Sequence, residues 1–176
     1  MDRDIAERSL LLAQTLSARG WRLITAESCT GGLLSGAVTG IPGSSLWFDR
    51  GFVTYSNESK MELLGVNPET LARYGAVSEE TAREMANGAL ALSRADVSVA
   101  ITGIAGPDGG SAAKPIGTVW LAWRHRQGDI QTETCRFPGN RETIRQHAVK
   151  TALERLIALA GADMPPCGGN PAKPLE

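Results

Sequence analysis

Ser28 stands in the run Thr25-Ala26-Glu27-Ser28-Cys29-Thr30-Gly31-Gly32, which follows the apolar stretch Trp21-Arg22-Leu23-Ile24 and precedes Leu33-Leu34-Ser35-Gly36-Ala37-Val38. That order reads as a strand, a turn rich in hydroxyl and thiol groups, and a helix. Two consecutive glycines give the turn dihedrals closed to other residues and admit a close neighbour. A helix start also offers free N–H donors and a positive dipole end, which suit an anion or a developing oxyanion. Ser28 in such a turn can act as a nucleophile, and Ser28 or Thr30 can equally act as a helix cap. Cys29 is the rival nucleophile, because a helix N-terminus lowers a thiol's pKa, although buried cysteines are commonly inert.

A serine nucleophile needs a base. Lys60 follows Tyr55 by five residues and falls on the first turn of a short helix. Burial can bring a lysine down from its ordinary pKa of about 10.4, and a Ser–Lys or Ser–Tyr–Lys set activates a hydroxyl without histidine. A solvated lysine and a half-buried strand tyrosine are the plain alternatives. The stretch from Thr102 to Gly110 can cradle a phosphate through backbone N–H groups, but no lysine follows in the P-loop pattern, and Asp108-Gly109 is also an ordinary turn signal. Arg141 and Arg145 stand in the first turns of the last helix, where positive charge is mildly unfavourable. An anion nearby would account for them, as would a solvated i, i+4 face.

The elements that must position these groups follow from the pattern of the chain. Residues 5–19 form an amphipathic helix that Gly20 ends. Residues 23–26 are a strand, and a helix of about two turns runs to Thr39. Residues 40–45 are a Gly/Pro loop. Residues 48–55 are a second strand, ended by the capping pair Ser56-Asn57 ahead of the Lys60 helix. Pro68 opens a short helix, and Ser78 caps a longer one with Glu79 and Glu80 in its first turn. Residues 96–102 are a strand leading into the glycine-rich turn 103–110. Residues 117–124 and 130–137 make a hairpin about Gln127-Gly128-Asp129. Asn140 caps the last helix, whose apolar face carries Ile144, Ala148, Val149, Ala152, Leu156 and Ile157. The expectation is an α/β fold: a single layered domain over residues 1–160 whose mixed, mostly parallel sheet is flanked by helices. Residues 161–176, rich in Pro and Gly, are expected to be a mobile or extended tail. In such sheets ligands sit at the carboxyl ends of strands, which brings the segments around Ser28, Lys60 and Thr102 to one crevice.

Composition removes other classes. Of 176 residues, 42% are hydrophobic and 21% charged, with a net charge of −1, so no electrostatic case exists for nucleic acid or an anionic membrane. No apolar stretch has the length a bilayer requires, and the charged N-terminus lacks a signal peptide's core. Three cysteines without metal spacing point to free thiols in a reducing cytoplasm, and the two histidines, His125 and His147, suggest no zinc site. Neither a metal nor another cofactor is expected.

Taken in order, Ala26-Glu27-Ser28-Cys29-Thr30-Gly31-Gly32, Pro42-Gly43-Ser44-Ser45, residues 51–60, Gly75-Ala76-Val77-Ser78 and Thr102-Gly103-Ile104-Ala105-Gly106-Pro107 resemble the CinA C-terminal domain family. The resemblance runs from about residue 5 to residue 160. It implies a nicotinamide mononucleotide deamidase, which converts the nucleotide to its nicotinate form and releases ammonia into pyridine-nucleotide salvage. It also implies a homodimer. Ser28 would be the nucleophile, activated by Lys60 with Tyr55; from the helix start itself, the N–H groups of Gly31 and Gly32 are expected to hold the oxyanion. Ser45 is implied near the pyridine amide, and Thr30, Thr102, Gly103, Gly106 and Arg145 at the nucleotide. Asn140 stands where many relatives carry Asp, and it caps a helix equally well. No pyrophosphatase activity is expected, since the larger domain that precedes this one in some relatives has no counterpart here. A non-catalytic nucleotide-binding module and an amidase for another small amide are the competing expectations.

Overall fold

The computed structural model describes residues 2–162; the tail expected beyond the last helix lies, from residue 163 on, outside the described residues. The chain runs α1 (Arg3–Arg19), β1 (Leu23–Glu27), α2 (Leu33–Thr39), one 3₁₀ turn (Ser44–Leu46), β2 (Phe48–Val53), α3 (Asn57–Leu64), α4 (Pro68–Tyr74) and α5 (Glu79–Ala91). It continues through β3 (Val97–Gly103), β4 (Thr118–His125) and β5 (Gln131–Arg136) to α6 (Arg141–Gly161). The helix ends follow their signals. The side chains of Ser56, Ser78 and Asn140 each accept an N–H at their helix starts, and Gly20 takes φ 66° to close α1.

The sheet order is β2-β1-β3-β4-β5. β1 lies parallel to β2 and β3, whereas β4 runs antiparallel to both β3 and β5. Four of the five strands therefore share one direction, and the mixed α/β architecture agrees with the expectation. β1 is buried along its whole length, as a strand covered on both faces must be.

Alternation along the strands divides the core. Leu23, Val97, Val99, Ile101 and Leu121 face α1, α2 and α6, where Leu12, Leu16, Leu34, Ile144 and Leu153 meet them. Ile24, Ala26, Ala100 and Ala122 face the other way, toward Leu64, Met85, Ala86 and Ala89 of α3 and α5. Small residues on both sides let α5 lie close to the sheet and to α3. At Gly88 a Cβ would stand 1.9 Å from the Leu64 carbonyl oxygen. That atom belongs to a helix end and has no rotamer to escape by. Gly88→Ala is expected to lower stability by about 1–3 kcal/mol, the usual range for overpacking, as a fall in Tm on thermal unfolding.

The second strand ends at Val53, two residues earlier than expected. Thr54 still donates its N–H to Glu27 O, but its own carbonyl faces Lys60 Nζ, which takes it out of the ladder. The chain thus leaves the sheet where Lys60 needs an acceptor.

Candidate active site

At the carboxyl end of β1 the chain continues one residue along the ladder, Ser28 N donating to Ile101 O at 2.9 Å, and then turns. Gly31 and Gly32 hold φ values of 59° and 92°, conformations that side-chain-bearing residues take only under strain. Glu27, fully buried, aims its carboxylate into the start of α2. Oε2 accepts from Gly32 N (3.1 Å) and Leu34 N (3.0 Å), while Oε1 accepts from Ser35 N (2.8 Å) and Ser35 Oγ (2.6 Å). A carboxylate there is stabilised by the orphan donors and the helix dipole.

That arrangement corrects one expectation. Gly32 N–H is engaged by Glu27 and Gly31 N–H by Ser28 O at 3.0 Å, so neither is free for an oxyanion. Among the described residues Thr30 N–H has no acceptor, and Cys29 N–H meets only its own sulfur.

Ser56 caps α3 and so fixes the helix phase that points Lys60 inward, where it is 1% exposed. Lys60 Nζ donates to Ser28 Oγ at 3.0 Å, to Thr54 O at 2.7 Å and to Tyr55 O at 3.5 Å. Burial holds the Lys60 amine below the usual lysine range. A neutral amine has two N–H groups for the two carbonyls and a lone pair left for the Ser28 hydroxyl. Cys29 is buried beside it, and burial pushes its thiol up to about 11. A thiol of that pKa carries almost no thiolate near neutral pH. Cys29→Ala is expected to retain most of the wild-type turnover, which steady-state rates will check.

The crevice holding Ser28 and Lys60 has a volume of about 250 Å³ and is also lined by Tyr55, Thr102, Gly103 and Gly106. Thr102 Oγ1 donates to Ala76 O at 2.7 Å, which ties the segment before α5 to the crevice wall. Tyr55 departs from its expected place in a proton relay. Ser28 and Lys60 meet directly, and the Tyr55 hydroxyl instead accepts from Arg141 Nη2 at 2.7 Å. Arg141 Nη1 donates to Gly106 O at 2.8 Å, and the guanidinium has no carboxylate partner among the described residues.

Of the two arginines on α6, Arg141 is therefore the one that lines the crevice. Arg145, one turn further on, lies behind the Ser28 turn and donates from Nη2 to Thr30 O at 2.7 Å. With Gly31 and Gly32 it borders a separate cavity of about 550 Å³. Thr30 is buried away from the crevice, its Oγ1 without a partner. Ser45 is the residue the fold does not bring near. It precedes β2, at the end of the sheet where Trp47 O accepts from Leu23 N, whereas Ser28 follows β1 at the opposite end. The length of β1 alone, about 17 Å at 3.3 Å per residue, separates them. Among the described residues no cluster of His, Cys, Asp and Glu could hold a metal ion, and no helix is long and apolar enough to cross a membrane.

Two site features were not singled out from the sequence. Glu27 carries a signal, an acid closing a buried strand six residues before a helix. Arg141 shares its signal with Arg145, and their spacing alone does not choose between them.

The family model of the CinA C-terminal domain matches residues 6–160. A curated nicotinamide-nucleotide amidohydrolase PncC of Enterobacter agglomerans is 51% identical over 160 residues, covering 89% of this chain and 98% of the relative. The protein of that name from Escherichia coli strain K12 is 52% identical over 155 residues, 88% of this chain and 94% of the relative. A CinA-like protein of Akkermansia muciniphila is 49% identical over 142 residues, which are 81% of this chain but 34% of that longer protein. Among solved structures, the competence/damage inducible protein CihA of Agrobacterium tumefaciens superposes with a TM-score of 0.89 at 51% identity, covering 90% of this chain and 97% of that one. A CinA superfamily protein of Klebsiella pneumoniae superposes with a TM-score of 0.85 at 45% identity, covering 89% and 97%.

Proposed function

The chain belongs to the CinA C-terminal domain family, and on that footing we propose that it is a nicotinamide-nucleotide amidohydrolase, converting nicotinamide mononucleotide and water to the nicotinate mononucleotide and ammonia. The observation that carries the reading is the 3.0 Å contact between Ser28 Oγ and a fully buried Lys60 Nζ. A buried amine with a depressed pKa beside a serine hydroxyl is a base–nucleophile pair.

Neutral Lys60 takes the Ser28 proton as Oγ bonds to the amide carbon. The oxyanion forms against Cys29 N–H, the donor next to the nucleophile that lines the crevice. The C–N bond then breaks, and Lys60 passes its proton to the departing amine. A nicotinoyl ester on Ser28 remains. Water attacks it, Lys60 accepts the water's proton, and the proton returns to Ser28 Oγ as the carboxylate leaves. The two steps consume one water and need no oxidant or reductant.

Arg141 is the cation that meets the substrate's phosphate in this reading. It is in the crevice, both of its present acceptors are neutral, and a guanidinium fork suits a phosphate. A crevice of about 250 Å³ lies just below the usual range for ligand sites, which suits a small ligand. Thr102, Gly103 and Gly106 contact the nucleotide in the same reading. Ser45 can meet the pyridine amide only from a second copy, so the reading carries a homodimer with it, as well as a cytoplasmic place in pyridine-nucleotide salvage.

Ammonia release over a panel of nicotinamide, its riboside, its mononucleotide and the dinucleotide tests the proposal. The mononucleotide should be preferred; release from none of them would overturn it. Arg141→Met should lower kcat/KM for the mononucleotide by roughly 10- to 100-fold, the worth of a charge-assisted hydrogen bond, and change the riboside little. Equal losses for both would remove Arg141 from the phosphate.

A further inference from the structure

The turn from residue 28 to residue 32 is gripped by two opposite charges that never enter the crevice. Glu27 engages the N–H side with four hydrogen bonds, to Gly32, Leu34 and both polar groups of Ser35. Arg145 engages the carbonyl side through Thr30 O at 2.7 Å, and a Cβ on Gly31 would lie 3.5 Å from the same Nη2. Neither charge has an ionic partner among the described residues, and Arg145 Nε is buried with no acceptor. Burying the Glu27 carboxylate without an ion pair is costly, and three peptide N–H groups with the Ser35 hydroxyl offset that cost, while Arg145 is half-buried with its Nε shut off from any acceptor. An apolar side chain would fill the space of Glu27 at less expense of free energy, so packing does not account for its carboxylate.

We propose that Glu27 and Arg145 are positioning residues that clamp the Ser28 turn from its two sides, holding Ser28 Oγ on Lys60 and Cys29 N–H toward the developing oxyanion. The proposal rests on the amidohydrolase reading for its substrate but not for its geometry. The two glycines at positive φ would otherwise let the turn relax. With the carboxylate on one side and the guanidinium on the other, the peptides on either side of Gly31 have one orientation. The clamp therefore acts on the acylation step and leaves substrate affinity alone, since neither side chain faces the crevice.

The test uses the full chain, with Arg145→Met, Arg145→Lys and Glu27→Gln beside wild type. Four quantities are read: kcat and KM on the mononucleotide, the ratio of kcat/KM between mononucleotide and riboside, the rate at which a fluorophosphonate labels Ser28 by mass, and Tm. In Arg145→Met, kcat and the labelling rate should fall together by roughly 10- to 100-fold, the scale of a misplaced catalytic group. KM should stay within about twofold and the substrate ratio should not move. Arg145→Lys should recover part of both rates, because an ammonium can still donate to Thr30 O. Glu27→Gln turns an acceptor oxygen into a donor among N–H groups and should lower both rates likewise. If that variant proves insoluble, the two Arg145 variants decide.

A loss confined to KM, or a falling substrate ratio, would assign Arg145 to the substrate and overturn the clamp. Unchanged kcat, or a lower kcat with unchanged labelling, would overturn it too. The two proposals fail separately. A wild type that releases no ammonia, yet whose Ser28 labelling slows in Arg145→Met, sinks the substrate and keeps the clamp. Full turnover in every variant does the reverse.

Discussion

Ser28→Ala should release ammonia from the mononucleotide at least about a thousandfold more slowly than wild type, because the acyl-enzyme can no longer form. The fold should survive. Lys60 keeps its bonds to Thr54 O and Tyr55 O, the turn keeps its bonds to Glu27 and Ile101, and one lost hydrogen bond costs about 1 kcal/mol. Ammonia assays and thermal unfolding on the same preparation read both halves of the expectation. The contrast with Cys29→Ala is the sharpest control, since the two residues are adjacent and equally sheltered. A dead Cys29 variant beside a working Ser28 variant would transfer the nucleophile to the thiol.

Lys60→Arg should be nearly as inactive, by two or more orders of magnitude, the usual scale for a lost general base. Arginine keeps the charge but does not give up its proton in this range. In the wild type, kcat should rise with pH along a limb below lysine's ordinary 10.5, because burial has lowered the Lys60 pKa. The same shift has a sign for stability. The folded lysine loses its proton at lower pH than the unfolded one, so between the lowered value and 10.5 the unfolded state binds more protons and stability rises with pH. Lys60→Met should remove both the activity and that slope. Near wild-type turnover in Lys60→Arg would reduce Lys60 to a fixed charge and end the Ser–Lys mechanism.

Much of the Ser28–Lys60 meeting was legible in the sequence, because it depends on local order. A buried strand, a hydroxyl turn and a helix put Ser28 at the sheet's carboxyl edge, and Ser56 sets the phase of α3 for Lys60. The oxyanion donors were not legible. Which N–H groups remain free depends on Glu27 folding back over residues 32–35, a contact that spacing does not announce. The choice between Arg141 and Arg145 depends on how α6 is rotated about its axis. That rotation is set by Ile144, Ala148 and Val149 burying against the sheet, and it turns Arg141 to the crevice and Arg145 to the back of the turn. Ser45 stands in a run shared with the family, but sharing a run does not say which end of the sheet it occupies.

The return of the chain from β3 directly into β4 has a further consequence. A parallel crossover would carry the chain away from the carboxyl edge through a helix. Here residues 104–117 stay at that edge and include Gly106 of the crevice wall, with Ile104 N donating to Thr118 O and Gly117 N to Ile104 O at their base. The part of the wall most able to vary is a loop whose two ends are already fastened by the β3–β4 ladder. Between its bonds to α6 at Gly106 and to the end of α4 at Lys114, the loop can change without altering a strand register or the Ser28–Lys60 pair. Evolution, or a designer, can therefore alter what the crevice admits while the reaction it performs stays fixed.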